Sequence, residues 1–522
     1  MSGYPKQAYR VPDPLLDERP VEFAERMGQW YGQRVNDLHR KSFGLYFTPA
    51  AIARMMAALC RGFPGKSLRI LDPAAGTGIL AAAACEAIAQ LDDSPASIEL
   101  VCYELDAELL PLLRATVTQL EKWLSANRIA LISRIEGTDF LLANGAALEK
   151  GVLPMCEDGF DAVICNPPYF KLAKSDPRAR ACATVVHGQP NIYGLFMAVG
   201  ASILRDGGRF VFITPRSFAS GAYFQKLREF FFRLILPTDI HVFGSRSEAF
   251  EDVLQEAVVV AGTRAKGWTR SAKGRLLRLT SSGGTADLDR RSMRRVPIGD
   301  VLQGDSRHRV LYLPANKDDD RVRSLVQSWK GSLHNFGWEV STGPVVAFRA
   351  KHFLRDKRIA RAIPLLWLQN VSAMRVMWPL ESRKAQYLLA ERDAEAIILP
   401  NLNYVVLRRF SAKEEKRRLT AAPLLATSFP QQKIGLENHL NYIHKPGGQL
   451  TIDETYGLSA LFNSQVLDTY FRISNGSTQV NASELRSMPL PGLHTIRRIG
   501  TKVRAEPGNF ESIVAREIDR AN

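Results

Sequence analysis

The stretch "ILDPAAGTGIL", residues 70–80, decides the fold. A β-type apolar run ends at Asp72. A turn of small residues with glycines at 76 and 78 follows, and an alanine-rich helical pattern opens at Ile79. Such a turn lets the backbone reverse tightly and approach a ligand without Cβ obstruction. Alone the pattern serves dinucleotides too. The acid at its entrance changes that reading, because Asp72 would repel a pyrophosphate and attract an ammonium.

Outward from this turn, strand-type runs alternate with helical patterns as far as residue 265: "LRILDP", "IELVCYE", "ALISRIEGTD", "FDAVICN", "GRFVFITP" and "EAVVVAGT", with helices expected from Ile79, from Ala107, around 192–204 and from Tyr223. The alternation predicts a doubly wound, mainly parallel α/β sheet with right-handed crossovers, whose ligands lie at the carboxyl ends of the strands. A chain of 522 residues exceeds one core. Residues 1–40 read as a helical N-terminal extension, 41–265 as the α/β domain, and 266–330 as a connector with small strands. Residues 331–522, richer in Trp, Asn, Gln and Arg, read as a second domain of α+β type.

Composition narrows the function classes. The chain is 46% hydrophobic and 23% charged, in the range of globular proteins. It has no apolar segment near the roughly 18 residues needed to span a bilayer and no signal-peptide pattern, so a cytoplasmic protein without a membrane partner is expected. Six cysteines lack CxxC spacing and read as buried thiols, with no metal implied. The net charge of +16 favours a polyanionic partner. The charge recurs in "RRSMRR" (290–295), "RAKHFLRDKRIAR" (349–361) and "LRRFSAKEEKRRL" (407–419), interleaved with apolar residues as on a folded basic surface.

Three strand ends carry acids in series. Asp72 precedes the loop of Ala74, Gly76 and Gly78. Glu104 in "YELD" stands where a carboxylate can accept ribose hydroxyls. Asp139 in "GTDF" stands where it can accept from an adenine amino group, with Phe140 packing on the ring. A nucleoside joined to an amino acid, with no phosphate, is S-adenosyl-L-methionine. Upstream, "YFTP" offers Thr48 as a helix N-cap and Pro49 as the first helical residue. The same segment, Tyr46 to Pro49, would fold over the methionine end of the cofactor.

The fourth strand ends in "NPPY", residues 166–169. The lone pair of an exocyclic base amine is delocalised into the ring and weakly nucleophilic. The Asn166 amide oxygen and the Pro167 carbonyl could accept both of its hydrogens, with Pro167 and Pro168 fixing the direction. Tyr169 would stack on the base, flipped out of its helix.

These residues resemble a family, the amino-group DNA methyltransferases, and within it the gamma-class adenine-N6 enzymes of bacterial restriction-modification systems (the Taq and Pst types). "YFTP", "DPAAGTG", "YELD", "GTDF", "NPPY", "LRDGGRFVFITPRSF" and "FGSRSEAFEDVLQEAVVV" occur in the order of that class. "WEVSTGPVVAFRA", "HLNYI" and "LSALFNSQVLDTYFRISNGSTQVNASELRSMPLP" resemble its C-terminal target-recognition domains. The resemblance implies that Phe250 stacks on the flipped base opposite Tyr169, with Phe243 as the alternative, and that Pro215 to Phe218 border the same pocket. It also implies duplex DNA as substrate, a monomer acting near the nucleoid, and a cognate endonuclease on a separate chain. Arg349, Lys351 and Arg358 are candidate DNA contacts. His439 and His444, which lack metal-type spacing, are expected at backbone or phosphate contacts. Cytosine-N4 methylation, an RNA or protein-amide substrate, and a non-catalytic DNA-binding defence subunit remain as alternatives.

Overall fold

The computed structural model describes residues 10–63, 65–150, 159–244, 257–271, 274–304, 309–314, 316–381, 384–411, 415, 417–475 and 479–521. It divides into two compact units, residues 1–315 and 316–522.

The first unit begins with helices α1 (Pro20–Gly32), α2 (Asp37–Phe43) and α3 (Ala50–Ala57). The alternating elements are β1 (Ser67–Asp72), α4 (Ile79–Ala89), β2 (Ser97–Tyr103), α5 (Leu110–Ala126), β3 (Ala130–Glu136), α6 (Phe140–Asn144), α7 (Ala147–Lys150), β4 (Phe160–Cys165), α8 (Pro177–Ala181), α9 (Ile192–Ile203), β5 (Leu204–Pro215), α10 (Gln225–Leu234), β6 (Ile235–Phe243) and β7 (Ala257–Arg264). Two further strands, β8 (Leu276–Ser282) and β9 (Ser292–Pro297), complete a sheet of order β3-β2-β1-β4-β5-β7-β6-β8-β9 among the described residues. Strands β3 through β5 are parallel, whereas β7 runs antiparallel to β5 and β6. The α/β expectation therefore holds, with one departure. Residues read as a connector from 266 add β8, parallel to β6, and β9 at the sheet edge. Their alternation of polar and apolar residues, with one face exposed, is the pattern of a peripheral strand.

Successive strand residues feed opposite layers. Leu71 and Val163 join one core with α9 and α10, and Ile70 and Ile164 join the other with α3 and α4. Within the N-terminal extension, Phe23, Met27 and Tyr31 of α1 bury against Leu109 and Leu112. Chain order reverses between β1 and β4, which opens a crevice at their carboxyl ends.

The second unit is α+β. Strands Glu339–Thr342, Leu440–His444, Tyr404–Arg408 and Ala421–Leu424 form an antiparallel sheet, beside a five-stranded mixed sheet. Helix Ile452–Asn463 begins with a capping box between Thr451 and Glu454 and packs on helix Leu493–Ala505. Among the described residues, no helix is long and apolar enough to cross a membrane.

Candidate active site

A cavity of about 340 Å³ lies at the β1/β4 crevice. Its walls include Tyr46, Ala74, Gly76, Glu104, Asp139, Phe140, Asn166, Pro167 and Pro168, so nine separately predicted residues meet in one place. Asp72, Thr48, Pro49, Gly78 and Tyr169 are not among those walls.

The loop after β1 is held by the strand beside it. Gly76 adopts φ +57, the left-handed region that a side chain disfavours, and its N–H donates to Glu104 Oε2 at 2.7 Å. Glu104 Oε1 accepts the N–H of Asp106, also at 2.7 Å. Both carboxylate oxygens thus keep capacity for one more donor each. Gly78 opens α4 and packs on Leu113 and Thr116. Asp72 is completely buried: Oδ1 accepts weakly from Ala74 N–H at 3.4 Å, and Oδ2 has no hydrogen-bond partner. Burial, reinforced by the charge of Glu104, pushes its pKa up to about 7. Glu104 is pushed up to about 7 as well, again chiefly by burial.

Asp139 caps α6, with Oδ1 accepting from Leu141 and Leu142 N–H at 2.9 and 3.1 Å. Its Oδ2 lies 3.9 Å from Arg178 Nη1. Phe140 is buried, its ring 5.2 Å from both Tyr103 and Phe196.

After β4, Asn166 is oriented by its own partners. Nδ2 donates to the Tyr46 carbonyl at 2.9 Å and contacts Thr48 Oγ1 at 3.0 Å, which fixes the amide oxygen on the other side. The Tyr169 hydroxyl donates to that oxygen at 2.6 Å and has the Ile213 carbonyl, 3.0 Å away, as a second acceptor for its one proton. Burial raises the Tyr169 phenol well above its ordinary value, so it remains a donor. Its ring packs parallel to Tyr46 at 5.8 Å and edge-on to Tyr193 at 6.1 Å.

Thr48 therefore serves Asn166. Pro49, not Thr48, occupies the N-cap position of α3, and no side chain caps that helix. Gly44, at φ +63, lets the preceding loop close onto the NPPY turn: a Cβ there would sit 3.0 Å from Tyr169 N and 3.2 Å from Pro168 Cβ. Residues 215–218 do not line the cavity. Phe218 is core, and Ser217 bonds Tyr193 OH at 2.9 Å, supporting Tyr169 from behind. Phe243 is likewise buried in the core, whereas Phe250 lies outside the described residues.

In the second unit Arg349, Lys351 and Arg358 are exposed. His439 Nδ1 bonds buried Glu437 at 2.6 Å, and His444 Nε2 lies 3.2 Å from Ser341 Oγ, so both make side-chain contacts. Among the described residues no His, Cys, Asp and Glu group could hold a metal ion.

The family model described as the Eco57I restriction-modification methylase matches residues 115–249. The chain is 30% identical over 486 residues to the type II methyltransferase M.BsuBI of Bacillus subtilis, covering 92% of this chain and 93% of that one. It is equally 30% identical over 482 residues to the type II methyltransferase M.PstI of Providencia stuartii, covering 92% of each. The chain belongs to the type II restriction-modification methyltransferases. A cryo-EM structure of a DrdV–DNA complex has a TM-score of 0.48 at 13% identity, over 93% of this chain and 59% of that one. This methyltransferase uses S-adenosyl-L-methionine to methylate DNA. Its residues suit that cofactor. Glu104 and Asp139 have acceptor capacity at the cavity wall, and Phe140 puts an aromatic ring in that wall. Asp72, at the end of the strand from which the loop springs, has a buried Oδ2 without a hydrogen-bond partner, which a cationic amino-acid end would suit.

The sequence reading missed one network. The Tyr31 hydroxyl lies 3.1 Å from Asp106 Oδ2 and 3.0 Å from Glu108 Oε2, and His39 Nε2 lies 2.7 Å from the same Asp106 oxygen. Asp106 in turn donates its N–H to Glu104. Helices α1 and α2 thereby hold the Glu104 loop. Tyr31→Phe removes the hydroxyl at constant shape. It is expected to raise the KM for S-adenosyl-L-methionine about 3- to 10-fold with kcat nearly unchanged, less than the full cost of a lost hydrogen bond to a charged group because Tyr31 acts on Glu104 only through Asp106. An unchanged KM in steady-state assays would detach the network from the cofactor site.

Proposed function

We propose that this methyltransferase modifies the N6 amino group of an adenine flipped out of duplex DNA, at a specific sequence read by residues 331–522, and so protects that sequence from a cognate endonuclease on a separate chain. The observation that carries the reading is the orientation of Asn166, whose amide oxygen and the neighbouring Pro167 carbonyl can receive the two hydrogens of a planar amine. Drawing those hydrogens away from the ring plane frees the nitrogen lone pair. S-adenosyl-L-methionine, when bound, supplies the electrophilic methyl group. Glu104 would accept from its ribose hydroxyls, Asp139 from its adenine amino group, and Asp72 would face its ammonium. Tyr169, and Phe250 on the opposite side, would sandwich the base. A residue acting as base is not required before transfer, because the methylated ammonium loses its proton readily to water.

Asn rather than Ser at position 166 favours adenine over cytosine. Expression in a methylation-free bacterial host, followed by modification mapping of its genomic DNA, is expected to show N6-methyladenine at one recurring motif. N4-methylcytosine at that motif would replace the adenine assignment, and unmodified DNA would remove the functional reading.

A further inference from the structure

The second unit carries an exposed aromatic side chain that the proposed chemistry does not use. Phe348 is 77% exposed, with the Arg349 guanidinium 5.4 Å over its ring. Its mounting is firm. Val345 and Ala350 on either side are buried, the N–H groups of Arg349 and Ala350 donate to the Val346 carbonyl at 3.0 and 2.9 Å, and buried Phe353 closes the next turn. The ring therefore projects from a built turn.

The segment that follows is cationic. Residues 348–361 contain Arg349, Lys351, Arg355, Lys357, Arg358 and Arg361 against the single acid Asp356. Arg355 is spent locally, donating to the carbonyls of His352 and Leu354. The other five are exposed. Ion pairs of this unit lie elsewhere, as in Lys433–Glu395, Arg408–Glu415 and Arg417–Glu511. Among the described residues none of the five has a carboxylate partner. Among the described residues Leu354–Arg355 pairs only with the strand Tyr387–Leu389, so this segment is a sheet edge.

We propose that residues 348–361 form a duplex-contacting edge in which the Phe348 ring inserts between adjacent base pairs, while Arg349, Lys351, Lys357, Arg358 and Arg361 neutralise the flanking phosphates. The inference rests on the DNA-modifying reading above. Charge complementarity selects a polyanion, and an apolar wedge rimmed by cations selects one with stacked bases. Inserting the ring unstacks one step and bends the duplex, bringing more of the basic edge against the backbone.

The test uses the full chain and a fluorescently labelled duplex carrying its mapped motif, with affinity read by anisotropy across a salt series and bending by energy transfer between the duplex ends. Phe348→Ala is expected to weaken binding about 10- to 100-fold, reduce the bend and lower the salt slope by less than the triple variant below, with Phe348→Trp restoring both affinity and bend. The triple substitution Arg349→Ala, Lys351→Ala and Arg358→Ala is expected to flatten the slope of log K against log salt by up to about 2.7. Calorimetric binding of S-adenosyl-L-methionine by each variant serves as the folding control. Wild-type affinity and bend in Phe348→Ala, or an unchanged slope in the triple variant, would overturn the proposal while leaving the methyltransferase reading intact. Equal, Phe348-dependent binding to phosphatidylglycerol vesicles would overturn it too. A wild-type protein that neither binds nor methylates any duplex would instead sink the functional reading beneath it.

Discussion

Asn166→Ala is expected to lower the single-turnover rate of methyl transfer by about 10³-fold or more, while calorimetric affinity for S-adenosyl-L-methionine changes by less than about 3-fold. Removing one preorganised acceptor from a water-excluded site typically costs about 10²–10³ in rate. Here the loss compounds, because the amide also ties three elements together. Its Nδ2 contacts Tyr46 and Thr48 at the start of α3, and its Oδ1 holds the Tyr169 hydroxyl. The substitution therefore removes an acceptor and frees the ring expected to stack on the base. Thr48→Val separates these contributions. It deletes one contact to Nδ2 but leaves the amide oxygen and the Tyr46 carbonyl in place, so a smaller loss of about 10-fold is expected. Retained activity in Asn166→Ala would end the proposed role. Equal losses in the two variants would assign the effect to positioning.

The features that could be read in the sequence are those whose chemistry is local. The glycine turn after β1 and the NPPY turn after β4 each compress strand, reversal and ligand groups into a few consecutive residues, and the fold only had to bring their strands side by side. The register of β1 against β4 does that directly, pairing Ile70 with Ala162 and Leu71 with Val163. Features made by packing were hidden. Nothing in "YGQRVNDLH" announces that Tyr31 and His39 converge on Asp106, because that meeting depends on α1 burying Phe23 and Met27 against Leu109 and Leu112. Arg178 and Phe170, which join the cavity wall, follow the NPPY turn closely but carry no spacing signal. Thr48 shows the reverse error. Thr-Pro before an apolar helix fits a cap, yet the hydroxyl is drawn to a side chain that lies 118 residues away in sequence.

Asp72→Asn is expected to act in opposite directions on stability and on cofactor affinity. Asp72 is wholly buried with one oxygen unpartnered, and its pKa stands near 7 against an unfolded value of 3.8. Where pH lies between those values, the folded state holds a proton that the unfolded state has released. Stability must then fall as pH rises from about 4 to about 7 and level off above. A shift of this size corresponds to roughly 4 kcal/mol by linkage. The Asn variant escapes that slope, but its Nδ2 places a donor where the carboxylate oxygen had no partner, at a cost of about 1–3 kcal/mol. A net gain of about 1–3 kcal/mol is therefore expected for the cofactor-free protein above pH 7, read as a higher Tm, with no gain or a loss near pH 4. Binding responds the other way. A cationic ligand favours the ionised form of Asp72 and of Glu104, so wild-type affinity is expected to rise between pH 6 and 8. The variant keeps only the Glu104 part of that rise and binds at least about 10-fold more weakly at pH 8, which is about 1.4 kcal/mol. A variant less stable than wild type at pH 8, with unchanged affinity, would mean that the Asp72 carboxylate serves the loop after β1 and not the cofactor. The paired signs distinguish the two roles, because a purely structural carboxylate would lose stability on neutralisation, whereas one held ready for a cation is strained until the cation arrives.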